Sequence, residues 1–195
     1  MHADEEPILK RCRSGDLDAF GELVERYEDR VRRTAFLLVG NRDDAQDVAQ
    51  ETFVRAFKSL SSFRHECAFS TWLHRITLNA ARNWLRENRR RAQMSDLEWE
   101  AEMAPAKLDE ATPEHQVLRR EGARRLQAAL QTLPDRYREA LVLKVYHDLP
   151  YSDIAEILQV PVGTVRSRLA KARELVVKRL RWDAFLDRSK EAGAK

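Results

Sequence analysis

Cysteine is scarce in this chain. Cys12 and Cys67 are the only two in 195 residues, too few for a disulfide framework or a four-ligand zinc site. A reducing compartment is the simplest setting for them. Glycine and proline number six each, so short of turn formers that helices are expected rather than turn-rich β structure. No apolar run approaches the roughly 18 residues that a membrane-spanning helix needs. The opening Met-His-Ala-Asp-Glu-Glu is acidic and polar, unlike a signal peptide. Gly-rich phosphate loops, His-Glu-x-x-His pairs and nucleophile elbows are all missing, so no catalytic residue is expected. These absences lead us to expect a soluble cytoplasmic protein with no membrane insertion, no cofactor and no resident metal.

Charge, by contrast, is plentiful. The chain is 34% charged and 43% hydrophobic, too apolar for disorder. The net charge is only +3, but the signs are segregated, and the segregation informs more than the sum.

Hydrophobic periodicity predicts helices throughout. Phe20, Leu23, Val24, Tyr27 and Val31 recur at offsets of 0, 3, 4, 7 and 11, the stripe of an amphipathic helix. Ser14 or Asp16 is placed to cap it, and Gly40 to stop it after Val39. Asn41 caps a second helix from Arg42 to about Leu60, with Ala45, Ala49, Phe53, Phe57 and Leu60 expected inward. A third runs from about Ser70 to Arg91 and carries Trp72, Leu73, Ile76, Leu78, Ala80 and Trp84.

Residues 95–111 break the pattern. They hold six acids, one Lys and a proline, with no apolar face, and read as a linker. Thr112 and Pro113 restart a helix as N-cap and first residue, with Leu126, Leu130 and Leu133 along it. Pro134 opens another, carrying Tyr137, Leu141 and Val145. A short helix with Ile154, Ala155 and Leu158 follows. Gln159-Val160-Pro161 then leads into a basic helix from about Val162 to Arg181, and residues 182–195 are expected to fray. The fold class expected is all-α: two small helical domains on a flexible tether.

Three segments carry function. Tyr151 to Leu169 has helix-turn-helix spacing, with small Ala155 at the crossing and Val160 and Val165 returning to the core. Its second helix presents Thr164, Arg166, Ser167, Arg168, Lys171 and Arg173. Residues 164–181 hold seven Lys or Arg against one Glu. Such a helix suits the major groove, where Arg and Lys read guanine and neutralise phosphate. Gln159 occupies a turn position that often uses Gly at positive φ, at a cost of up to about 1 kcal/mol.

A second basic segment, residues 82–91, holds five Arg and one Glu. Phe63, Phe69, Trp72, Arg75 and Asn79 lie upstream of it. Aromatics beside cations and amides suit an unstacked base. Trp72, Ile76 and Trp84 equally fit a core stripe, which leaves Arg64, Asn79, Arg82 and Asn83 as the better contacts. The loop 64–70 is then the expected wall of the pocket.

Third, Asp43, Asp44, Asp47 and Glu51 cluster on one helix. Attraction to the helix N-terminus would account for Asp43, Asp44 and even Asp47, but Glu51 lies too far along. A basic protein partner is the alternative.

In this order the pieces resemble the extracytoplasmic-function sigma factors of bacterial RNA polymerase, across about residues 10–181. Asp43-Asp-Ala-Gln-Asp-Val-Ala-Gln-Glu-Thr-Phe53 resembles the family's polymerase-binding motif in region 2. Phe69-Ser-Thr-Trp-Leu-His-Arg-Ile-Thr-Leu-Asn79 resembles its −10 reader. Leu133-Pro134-Asp-Arg-Tyr-Arg138 and the helix-turn-helix resemble region 4, the −35 reader. The resemblance implies a region 2 domain over 1–94, an acidic linker over 95–111, a region 4 domain over 112–181 and a tail over 182–195.

The resemblance also implies roles. Asp43, Asp44, Asp47, Val48, Gln50, Glu51 and Phe53 would dock on core RNA polymerase. Arg64, His65, Glu66, Cys67, Phe69, Ser70, Arg75, Asn79, Arg82 and Asn83 would hold the melted −10 strand, including a flipped base. Lys144, Thr164, Arg166, Ser167, Arg168 and Lys171 would contact duplex −35 DNA. Relatives often carry an aromatic and an Arg where this chain has Ala170 and Lys171. An anti-sigma partner is implied too. Seventeen linker residues extend to about 55–60 Å, more than the roughly 34 Å of one DNA turn.

Two other readings stay open at this point. A free-standing helix-turn-helix regulator would bind DNA without polymerase and leave the acidic stripe idle. A metal or redox sensor would use His65, Cys67 and His74, whose spacing is irregular.

Overall fold

The computed structural model describes residues 5–64, 66–94 and 113–193. Among these residues every regular element is helical, as expected of an all-α chain. The chain divides into two compact units, Met1–Glu100 and Ala101–Lys195. The linker read over 95–111, the cap Thr112 and the loop residue His65 lie outside the described residues.

The first unit comprises α1 (Glu5–Arg13), α2 (Leu17–Val39), α3 (Arg42–Ser59), a 3-10 turn (Leu60–Ser62) and α4 (Phe69–Met94). Helix α2 starts where the sequence signals it. Asp16 Oδ1 accepts from the Ala19 amide at 3.0 Å, which satisfies one of the donors a helix start leaves over. Arg11 bridges Asp16 at 2.8 Å and Glu22 at 2.8 Å. At the other end Gly40 takes φ 89, and its amide reaches the Phe36 carbonyl at 2.9 Å. A side chain would resist that left-handed conformation. Asn41 Oδ1 then caps α3 by accepting from Asp43 and Asp44 at 2.8 and 3.2 Å.

Leu23, Tyr27, Val31 and Leu38 of α2 are buried, and α2 packs on α1, α3 and α4. The core also holds threonines. Thr34, Thr52 and Thr77 donate to carbonyls one turn back, at 2.7, 2.7 and 2.9 Å. Each hydroxyl thereby bonds back within its own helix.

The sequence reading is corrected at two places in this unit. Helix α1 was not foreseen. It is amphipathic, with Ile8, Leu9 and Cys12 buried, and Glu5 accepts a hydrogen bond from the Tyr27 hydroxyl. Arg13 donates to the Phe63 carbonyl. The inward stripe expected of α3 holds at Ala45, Ala49 and Leu60, but Phe57 departs from it. Ala45, Val48, Ala49, Thr52 and Ala56 face in, whereas Phe57 is 46% exposed. Alanines permit close helix approach, and the larger phenylalanines are displaced to the edge.

The second unit comprises α5 (Pro113–Gln131), α6 (Asp135–Val145), α7 (Tyr151–Leu158) and α8 (Val162–Gly193). Helix α8 packs on α5, α6 and α7. Arg138 is buried at the α5–α6 turn and donates to Gln131 Oε1 at 2.7 Å, the Leu133 carbonyl at 3.1 Å and Asp135 Oδ1 at 2.9 Å. Three acceptors on one guanidinium fix the turn and give the Leu-Pro-Asp-Arg-Tyr-Arg motif a structural task. Leu130 and Leu133 are buried as expected, but Leu126 is 45% exposed. Helix α8 is longer than read, continuing past Arg181 to Gly193. No glycine or proline interrupts residues 182–192, so nothing local ends it sooner.

Candidate nucleic-acid and protein interfaces

The acidic face of α3 is built from the Asn41 cap onward. Asp43, Asp47, Gln50 and Glu51 are exposed, and Asp44 is half-buried. Burial, then Asp47 and Asp43, hold the Asp44 carboxyl above its ordinary range. The helix start therefore does not fully compensate the cluster, and a cation brought to it would relieve the repulsion. Glu51 already has one, pairing with Arg55 at 2.6 Å across one turn. Val48 is corrected. It is only 2% exposed and belongs to the core. Phe53 is half-buried and packs against that core.

On α4 the polar face is continuous. Asn79 is exposed, and Arg75, Arg82 and Asn83 are half-buried. Arg82 donates to Asn79 Oδ1 at 3.2 Å, and Arg86 to Asn83 Oδ1 at 3.0 Å. These bonds occupy the amide oxygens, so each amide keeps its NH2 for an outside acceptor. Arg86 and Arg89 of the basic segment 82–91 are both exposed and extend this face.

The loop before α4 splits into two roles. Arg64 and Glu66 are exposed, and Cys67 and Ser70 half-buried. Phe69 is corrected from pocket wall to core, at 2% exposure. Its ring packs on Tyr27 at 5.5 Å, Phe63 at 5.8 Å and Trp72 at 5.5 Å. Trp72 is half-buried on this aromatic cluster. Phe69 thus anchors the loop rather than offering its face to a base.

His74 points the other way. Burial, with Arg30 nearby, pushes its imidazole down to about 4, so it is neutral at physiological pH. No group of three or more His, Cys, Asp or Glu among the described residues is placed to hold a metal ion. None of the described helices is long and apolar enough to cross a membrane.

The helix-turn-helix forms as spaced. Ile154, Ala155, Ile157 and Leu158 of α7 are buried. Gln159 takes the left-handed conformation, φ 54 and ψ 49, and the Val160 amide closes the helix on the Ala155 carbonyl at 3.0 Å. This is a six-to-one closure that glycine usually provides. Val165, Leu169, Ala172 and Val176 seat α8 in the core. The opposite face exposes Arg166, Ser167, Lys171 and Arg173, with Thr164 and Arg168 half-buried beside them.

Two lysines of the second unit, Lys171 on α8 and Lys144 on α6, carry partners that the sequence reading missed. Lys171 Nζ lies 2.8 and 3.0 Å from the carboxylate oxygens of Glu174. Lys144 Nζ donates to Asp148 Oδ1 at 2.6 Å and to the Leu149 carbonyl at 3.3 Å. Spacings of three and four residues on helices were the available signal.

Comparison with known proteins assigns a family to both units. Residues 23–91 match the model of Sigma-70 region 2, and residues 123–176 that of Sigma-70 region 4. The chain is 39% identical to the RNA polymerase sigma-H factor of Pseudomonas aeruginosa, covering 90% of this chain and 93% of that one. It is 36% identical to the ECF RNA polymerase sigma factor SigW of Bacillus subtilis, covering 89% and 95%. Its fold is similar to that of the Bartonella quintana sigma factor RpoE, solved with the anti-sigma factor NepR. That match has a TM-score of 0.67 and 25% identity, and covers 83% of this chain and 96% of that one. The two region models matched in order, with relatives 36% and 39% identical over about nine-tenths of the chain, place it in the extracytoplasmic-function sigma factor family.

Proposed function

We propose that this chain, a transcription initiation factor by family and not an enzyme, binds core RNA polymerase through α3 and reads promoter DNA through α4 and α8. The observation that carries the reading is the two-sidedness of α8. Val165, Leu169 and Ala172 are buried while Arg166, Ser167 and Lys171 stand exposed on the same turns. A helix held this firmly on one side can present a fixed set of donors to a major groove.

In this reading Asp43, Asp44, Asp47, Gln50 and Glu51 dock on a basic polymerase surface, with Phe53 beside them. Arg64, Glu66, Ser70, Arg75, Asn79, Arg82 and Asn83 hold the opened −10 strand, and the buried Phe69 anchors their loop. Arg166 and Ser167 read −35 bases, flanked by Thr164, Arg168, Lys144 and Lys171. The boundaries that go with these roles are 1–94 for region 2, 95–111 for a tether, 112–181 for region 4 and 182–195 for a tail. The work of initiation puts the protein in the cytoplasm with the polymerase. The Bartonella relative was solved bound to an anti-sigma factor, and we assign this chain the same class of regulator.

The test is size-exclusion chromatography of the full chain mixed with bacterial core polymerase, beside an Asp47→Arg/Glu51→Arg variant. Co-elution that the variant loses supports the α3 dock. Co-elution kept by the variant overturns that dock, and no co-elution of well-folded wild-type protein overturns polymerase binding altogether.

A further inference from the structure

The DNA-facing cations of the second unit fall into two kinds. Arg166 and Arg168 have no carboxylate within ion-pair distance among the described residues, whereas Lys144 and Lys171 each have one. Lys144 Nζ lies 2.6 Å from Asp148, whose side chain is 89% exposed. Lys171 Nζ lies 2.8 Å from Glu174, whose side chain is 62% exposed. Both carboxylates stand in solvent and are held by little else, so each can swing aside when a stronger anion arrives. The pairs act on their members as expected. Lys144 lowers the Asp148 carboxyl, and Glu174 raises the Lys171 ammonium. Asp148 sits at φ 47, a left-handed conformation that Asp and Asn adopt more readily than other side chains.

We propose that Asp148 and Glu174 are built-in counter-ions that occupy Lys144 and Lys171 until DNA phosphate displaces them, and so hold down sequence-independent binding to duplex. The inference rests on the −35 reading of α8 given above. Its physical basis is the origin of non-specific affinity. That affinity comes almost wholly from neutralised phosphates and released counterions. A lysine already paired within the chain contributes less to it. A specific complex displaces the same carboxylates, so they lower its affinity by a similar factor.

The experiment measures binding of the full chain to a −35 duplex and to a scrambled duplex, by fluorescence anisotropy over a series of salt concentrations. Wild type is compared with Asp148→Asn/Glu174→Gln and with Lys144→Gln/Lys171→Gln. Asparagine tolerates positive φ, so the first variant keeps the turn while losing two negative charges.

The expected result is about three- to tenfold tighter binding of the carboxylate variant to scrambled duplex at low salt. Its log-log salt slope should steepen by about one to two, and its affinity for the −35 duplex should rise by a similar factor. The lysine variant should bind both duplexes more weakly. If the lysine variant weakens but the carboxylate variant matches wild type, the counter-ion role is overturned and the −35 reading stands. If neither variant moves binding, the −35 assignment of these lysines fails and the counter-ion role with it. A carboxylate variant that tightens on the −35 duplex alone overturns the sequence-independent mechanism.

Discussion

Phe20 on α2 and Phe57 on α3 meet edge to face with ring centroids 5.0 Å apart. Phe57 keeps 46% of its surface exposed, so the pair sits at the rim of the first unit. Edge-to-face pairs contribute about 0.5–1.5 kcal/mol beyond the area they bury. A double-mutant cycle of Phe20→Leu and Phe57→Leu, read by urea unfolding, should return a coupling near the lower end of that range. Additive single-mutant effects would mean that the rings merely share a surface.

The same pair shows how far the sequence could be read. Local signals were decisive where one residue sets a backbone conformation. Asp16, Gly40 and Asn41 ended or began helices where their chemistry required, and the strained Gln159 was visible from its place in the helix-turn-helix. Tertiary choices were not visible. Along α3, Ala45, Ala49 and Leu60 took the interior as their spacing indicated, whereas Phe57 at the same spacing stays at the rim. Phe69 and Val48 fell inside motifs that read as contact surfaces, yet their apolar bulk is used for packing. Helix α1 is nine residues, short enough to be marginal alone. It is held by Ile8, Leu9 and the Glu5–Tyr27 bond, none of which its own sequence announces.

His74 makes the first unit sensitive to acid. In the unfolded chain an imidazole titrates near 6.5, whereas burial holds it at about 4 in the fold. Between these values the unfolded chain binds a proton that the folded chain refuses. Stability from this residue is therefore complete above about pH 6.5 and is lost as pH falls toward 4, by up to about 3 kcal/mol. Urea unfolding followed by tryptophan fluorescence at pH 7 and pH 4.5 should show wild type losing more than His74→Gln. Parallel losses would assign the acid sensitivity to carboxylates instead.

Gln159 is open to improvement. Its φ of 54 carries a left-handed cost of about 1–2 kcal/mol, offset in part by the entropy a glycine would bring. Gln159→Gly should raise stability by about 0.5–1 kcal/mol, and Gln159→Ala should not. Its amide bonds to Ala155 and Glu156 carbonyls survive either change, so the contrast isolates backbone strain. A stabilised alanine variant would place the effect in the side chain.

Arg166 and Lys171 should fail differently when removed. Both are exposed on α8, five residues apart, but one is unpaired among the described residues and the other bound to Glu174. If Arg166 reads a base edge, Arg166→Ala should cost about 1–3 kcal/mol on the preferred −35 duplex and relax the preference at one base pair. Lys171→Gln should weaken all sequences alike and reduce the salt slope, as a phosphate contact does. Holoenzyme binding to a panel of single −35 substitutions separates the two. A flat loss across the panel for Arg166→Ala would turn it from a reader into another phosphate clamp, and sequence recognition would then have to lie with Ser167 and Thr164.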